Sequence, residues 1–155
     1  MSDTTKGRRF HGGCHCGNIR FCFDWLGRAE NIPVRACGCS FCTKHGAVWT
    51  SHPEGQFQLQ ITDPFQAKRY QFGTKTADMH VCANCGITPI ATCTIDGRDY
   101  AVLNINTFEN FDRSMFDQSP TNFDGESVGD RLARRQRNWT PRAADASDQK
   151  LSGEE

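Results

Sequence analysis

Seven of the chain's nine cysteines fall into three tight clusters: Cys14-His15-Cys16-Gly17, Cys37-Gly38-Cys39-Ser40-Phe41-Cys42 and Cys82-Ala83-Asn84-Cys85-Gly86. In an extended segment residues i and i+2 share a face, so a Cys-x-Cys pair can aim both sulfurs at one point. A Cys-x-x-Cys pair converges on a tight turn, and the glycine after its second cysteine permits the positive φ that closes such a turn. Residues 82–86 therefore read as a zinc knuckle. The opening stretch MSDTTKGRRFHGG is polar and lacks the apolar run of a signal peptide, which makes the cytoplasm the expected location. In a reducing compartment clustered cysteines bind metal or do redox chemistry rather than form stable disulfides.

Pairing the first and third clusters gives Cys14, Cys16, Cys82 and Cys85, the closed tetrahedral set of a structural zinc. Such a site would tie the N-terminal hairpin to a segment far along the chain and could decide whether a small β-domain folds. The middle cluster is left with Cys37, Cys39 and Cys42. Three protein ligands and one exchangeable position make up a catalytic zinc site. His45, three residues after Cys42, is the rival reading as a fourth ligand that closes the site; an empty site is the third. Three thiolates blunt the Lewis acidity of zinc but suit a thiol as fourth ligand, which the metal would hold deprotonated. Sulfur chemistry follows from such a ligand set more naturally than hydrolysis. Cys22 and Cys93 lie within strand patterns and read as buried hydrophobes.

The 155 residues are enough for one domain. It is expected over 1–139, with a core at about 10–106, a C-terminal extension at 107–139 and a disordered tail at 140–155. From Arg9 to about Asn106 short strands alternate with turns. Ile19, Phe21 and Phe23 share a face, as do Phe57, Leu59 and Ile61; residues 68–72, 79–82, 90–95 and 100–105 are further strands. Asp96-Gly97 predicts a hairpin turn. Residues 107–124 read as a long loop and 126–139 as a short helix. Eighteen basic and eighteen acidic side chains cancel, so no global field draws the chain to nucleic acid. The arginines of 131–137 read as a solvated helix face rather than a nucleic-acid patch. No apolar run is long enough for a membrane span.

Several residues near the middle cluster are candidates for a site. His45 is the candidate acid–base group or substrate anchor, and Trp49 reads as core or pocket wall. Arg35 and Lys44 flank the motif and could bind a substrate carboxylate. Asn104 and Asn106, unusual inside a strand, are candidates for a polar pocket wall. His15, between two ligands, and His52, beside Pro53, are expected at the surface.

Gly13-Cys14-His15-Cys16-Gly17, Cys37-x-Cys39-x-x-Cys42 and Cys82-x-x-Cys85-Gly86, in this order, resemble the glutathione-dependent formaldehyde-activating enzyme and centromere protein V family. The likeness covers residues 10 to about 106. It implies an all-β "tent" of small antiparallel sheets stabilised by zinc, with a structural zinc on Cys14, Cys16, Cys82 and Cys85 and a second on Cys37, Cys39 and Cys42. It also implies carbon–sulfur lyase chemistry or its reverse, the formation of S-hydroxymethylglutathione from formaldehyde and glutathione. Gly38 stands where the middle motif often carries a histidine, which leaves open whether glutathione is the substrate. The expected function is a zinc-dependent carbon–sulfur lyase acting on a small thiol or aldehyde, without nucleic-acid or membrane partners. The alternatives are a non-catalytic zinc-binding interaction module and a redox-sensitive zinc–thiolate protein.

Overall fold

The computed structural model describes residues 7–143. Strands β1 (Arg8–Gly13), β2 (Ile19–Trp25) and β5 (Gln56–Ile61) form a three-stranded antiparallel sheet with β2 in the middle. Ile19, Phe21 and Phe23 are all buried along one face of β2, as their alternation requires. A second sheet runs in the order β10 (Phe116–Thr121), β3 (Ile32–Cys37), β4 (Trp49–Thr50), β9 (Arg98–Asn104), β8 (Ile90–Ile95), β7 (Asp78–Cys82) and β6 (Ala67–Tyr70), and β11 (Thr140–Pro141) pairs with β9.

The central strands β8 and β9 are covered on both faces. Ile90, Ala101 and Leu103 pack into a core shared with Phe10, Phe21, Phe23 and Phe57 of the small sheet. Ala91, Cys93, Tyr100 and Val102 pack into a separate cluster with Cys42, Trp49 and Trp139. Burial on both sides explains why residues 90–93 and 100–103 at their centres are nearly all apolar. Asp96 and Gly97 join them with φ of 53° and 77°, the paired positive angles of a tight hairpin turn.

The all-β architecture with one short C-terminal helix is present: α2 (Val128–Asn138) is capped by Ser127, whose hydroxyl accepts from the Asp130 amide at 3.1 Å. Four local expectations change. Residues 107–124 are not simply a loop, because β10 lies there, parallel to β3 from Phe116↔Ile32 to Thr121↔Cys37. Its polar sequence and Pro120 fit a sheet edge, where a missing amide costs nothing. A second short helix, α1 (Ser40–His45), follows β3 directly. The disorder expected from Thr140 does not hold for residues 140–143. Thr140 is fully buried and accepts from the His52 amide at 2.8 Å, and the Ala143 amide donates to the Phe57 carbonyl. The rest of that tail, 144–155, lies outside the described residues. Finally, Cys22 is only half-buried, its sulfur 3.4 Å from His11 Nδ1, whereas Cys93 is buried as expected. No helix among the described residues is long and apolar enough to cross a membrane.

Candidate metal centres and their cavity

Cys14 and Cys16 sit not on an extended strand but in the turn between β1 and β2. The Cys14 amide donates to the Ile19 carbonyl at 2.8 Å, and the Ile19 amide donates to Cys14 Sγ at 3.2 Å. Cys82 ends β7, and the chain turns back through Cys85, whose amide donates to Cys82 Sγ at 3.4 Å. Gly86, at φ 85°, closes that turn, its amide donating to the Cys82 carbonyl at 2.8 Å. The two turns bring the sulfurs of Cys14, Cys16, Cys82 and Cys85 within 4.8 Å of one another. Cys14 and Cys16 are 3.8 Å apart and Cys16 and Cys82 3.5 Å apart. A tetrahedron built on zinc–sulfur bonds of ~2.3 Å has edges of about 3.8 Å, so these four residues fit such an ion. Hydrogen bonding from Asn84 holds the Cys16 thiol down at about 6, while burial pushes Cys14 up to about 11.

The middle cluster is built at a strand-to-helix junction. Cys37 ends β3, Cys39 is the N-cap of α1 with its sulfur accepting from the Cys42 amide at 3.4 Å, and Cys42 lies in the helix's first turn. Their three sulfurs also lie within 4.8 Å of one another. Trp49 Nε1 donates to Cys42 Sγ at 3.3 Å. A hydrogen bond from Cys42 holds the Cys37 thiol down at about 5, and sharing that bond pushes Cys42 up. The shared hydrogen bond thus favours ionisation of Cys37 over Cys42. All nine cysteines are free. Three convergent soft donors match a thiophilic metal ion.

The two clusters differ in access. The three-cysteine cluster opens into a cavity of about 710 Å³. Trp49, Met79, Ala91, Val102 and Trp139 give the cavity apolar walls, and Arg35, Arg131, Arg134, Arg135, Asp124 and Glu126 are its charged lining residues. None of the four residues of the other cluster lines it.

Of the residues singled out by sequence, Arg35 and Trp49 belong to the cavity wall. His45 does not. Its exposed ring stacks on Phe41 at 5.2 Å between centroids, outside the residues that line the cavity. It is the last residue of α1, next to the Gly46 cap, where the helix ends. Lys44 beside it is also exposed and outside. Asn104 and Asn106 are backbone fasteners rather than pocket wall. Asn104 Nδ2 donates to the Thr88 carbonyl at 3.0 Å, and Asn106 Nδ2 to the Gly46 carbonyl at 2.8 Å. His15 is exposed as expected, while His52 is half-buried with its ring edge on Trp25.

The C-terminal helix contributes what the sequence reading missed. Arg131, Arg134 and Arg135 are not a solvated face; they lie against the cavity with Glu126, Phe123 and Trp139. Arg134 clamps Glu126 through Nε and Nη2, each at 3.0 Å to one carboxylate oxygen, and stacks 3.6 Å from the centre of the Phe123 ring. Arg135 is 8% exposed and packs over Trp139. The available signal was spacing: positions 131, 134 and 135 share one helical face, with an acid just before the cap.

The family model described as glutathione-dependent formaldehyde-activating enzyme matches residues 9–122, most of the chain. The chain belongs to that family. A crystal structure of a Rhodobacter sphaeroides protein, a structural-genomics target, is similar at 26% identity and a TM-score of 0.55. The likeness covers 72% of this chain and 99% of that one. All three cysteine clusters fall inside the residues matched by the family model, whereas α2 lies beyond them.

Proposed function

We propose that this family member is a zinc-dependent enzyme of carbon–sulfur bond formation and cleavage, working on a small thiol–aldehyde adduct at Cys37, Cys39 and Cys42. Cys14, Cys16, Cys82 and Cys85 hold a second, structural zinc. The observation that carries the reading is the contrast in access: the three-sulfur cluster opens into a roomy cavity, and the four-sulfur cluster does not line it.

When bound at the three-cysteine site, zinc supplies a soft position that keeps a substrate thiol deprotonated. The chain's own residues do the rest. Cys37, Cys39 and Cys42 fix the charge and softness of that position. Trp49 orients the Cys42 sulfur, and the apolar walls exclude bulk water from the reacting atoms. In the forward direction a thiolate sulfur adds to the aldehyde carbon, the carbonyl pair moves to oxygen, and the alkoxide takes a proton; cleavage is the reverse. That proton is the one the substrate thiol gives up on becoming a thiolate, so the step balances without a histidine, none of which lines the cavity.

The test is exchange spectroscopy on the zinc-loaded full chain with formaldehyde and a series of thiols, glutathione included. The expected result is faster hemithioacetal exchange with wild type. In Cys39→Ser the acceleration should disappear while the far-ultraviolet circular dichroism is retained. Full acceleration by Cys39→Ser would overturn the assignment. A non-catalytic or redox-sensing module would give no acceleration with either protein.

A further inference from the structure

Four arginines line the three-cysteine cavity, but their guanidiniums are not equally satisfied. Glu126 takes Arg134 through two bonds and lies 3.9 Å from Arg131. Arg35 and Arg135 have no carboxylate partner among the described residues. Arg35 is half-buried and gives Nη2 to Ser51 Oγ at 2.8 Å; that hydroxyl in turn donates to the Asn138 carbonyl at the end of α2. Arg135 gives Nη1 to Thr76 Oγ1 at 2.8 Å and to Cys93 Sγ at 3.5 Å. Its buried Nε has no hydrogen-bond partner among the described residues.

A buried cation without a counter-charge is costly, and the penalty is visible as a downward pull on both guanidiniums, led in each case by burial. Arginine does not escape by losing its proton. Two such groups in the wall of one cavity are poised for an anion that arrives with the ligand. The remaining wall is largely apolar, with Trp49, Met79, Ala91, Val102 and Trp139; of the two carboxylates that also line it, Glu126 is taken by Arg134, and Asp124 forms no ion pair with Arg35 or Arg135 among the described residues. That lining suits a short organic acid, whose planar carboxylate matches a guanidinium fork, better than a strongly hydrated phosphate dianion.

We propose that Arg35 and Arg135 form a carboxylate-binding subsite, so that the substrate of the three-cysteine site is a thiol or aldehyde adduct bearing a carboxylate. The inference rests on the function proposed above and names its substrate class. Half of this grip comes from α2, beyond the family-matched residues 9–122. The substrate is thereby selected by a part of the chain that the family pattern does not cover.

The experiment uses the full chain loaded with cobalt(II), whose thiolate charge-transfer absorption reports a fourth ligand. It is titrated with 3-mercaptopropionate and with 3-mercaptopropionamide, which offer the same thiol with and without the negative charge. The acid should bind about tenfold more tightly or better, as one charge-assisted contact provides. Arg35→Gln and Arg135→Gln should each bring that ratio close to one with the amide's affinity unchanged. Arg35→Gln carries the test should Arg135→Gln fail to fold. Equal affinity of the two thiols in wild type overturns the subsite while leaving the thiol-binding metal site standing. Should neither thiol change the cobalt spectrum, the metal–thiol reading fails on its own. Propionate against propionamide, followed by the fluorescence of Trp49 and Trp139, then decides the subsite separately. An arginine-dependent response to propionate alone supports it, and equal responses overturn it.

Discussion

The Trp49 indole gives its Nε1–H to the Cys42 sulfur across 3.3 Å, both residues buried in the same apolar cluster. The bond links β4 to α1 and would make an otherwise inert core tryptophan part of the electronic environment of a metal held by Cys42. A hydrogen bond to a ligating thiolate withdraws electron density from sulfur and holds its lone pairs lower in energy. In Trp49→Phe, with cobalt in the three-cysteine site, the sulfur-to-metal charge-transfer band should move to longer wavelength. Thermal stability should fall by about 1–3 kcal/mol, for the lost bond and the smaller ring. An unshifted band would show that the bond has no influence on the metal.

The two clusters should separate cleanly by mutation. Cys82 is 1% exposed and belongs to the main core, and its partners Cys14 and Cys16 join β1 to β2. Cys82→Ser should lose one zinc per chain by elemental mass spectrometry together with several kcal/mol of stability, because metal binding there is folding energy. Cys39→Ser should lose the other zinc with a melting temperature close to wild type. Equal melting temperatures for the two variants would contradict the division into structural and open sites.

The strand pattern, the Asp96-Gly97 turn and the grouping of cysteines were legible because each depends on local chemistry: alternation, positive φ and ligand spacing. What was not legible depended on contacts between distant segments. The polar stretch 116–121 becomes a strand only because the edge of β3 is free to take it. Arg131, Arg134 and Arg135 read as solvent-facing until Glu126, Phe123 and Trp139 fold around them. His45 lay at a ligand-like spacing, yet the end of α1 carries it out of the cavity. Gly38 has a tertiary reason as well. Its amide donates to the Thr121 carbonyl at 2.8 Å, and a side chain would press on that oxygen, with a Cβ only 3.3 Å away.

The knuckle turn supplies a test of backbone chemistry alone. Gly86 has φ 85°, and a Cβ added there meets nothing within 4 Å. Gly86→Ala therefore costs only the strain of an L-residue in the left-handed region, about 1–2 kcal/mol. That strain should appear as faster loss of the structural zinc to a chromophoric chelator, with the three-cysteine zinc released at its usual rate. Unchanged release of both ions would show that the turn does not constrain the site.

Glu126 sets an acid limit on the arrangement of α2. Its hydrogen bonds from Arg134 hold the carboxyl below its ordinary value of 4.5, against the opposing effect of burial. Because the folded-state value is the lower one, the ionised form favours the native structure. Its contribution is complete above about 4.5 and is lost as pH falls through the folded-state value. Partial burial costs the pair part of its attraction through desolvation, and its net worth is about 1 kcal/mol. Glu126→Gln should melt below wild type by a constant margin between pH 5 and 7, and the margin should close as the pH falls below 4.5 and through the folded-state value. Comparing the two proteins at equal zinc content cancels the acid release of metal from the thiolates. A margin that persists undiminished in acid would mean that Glu126 acts through packing rather than charge.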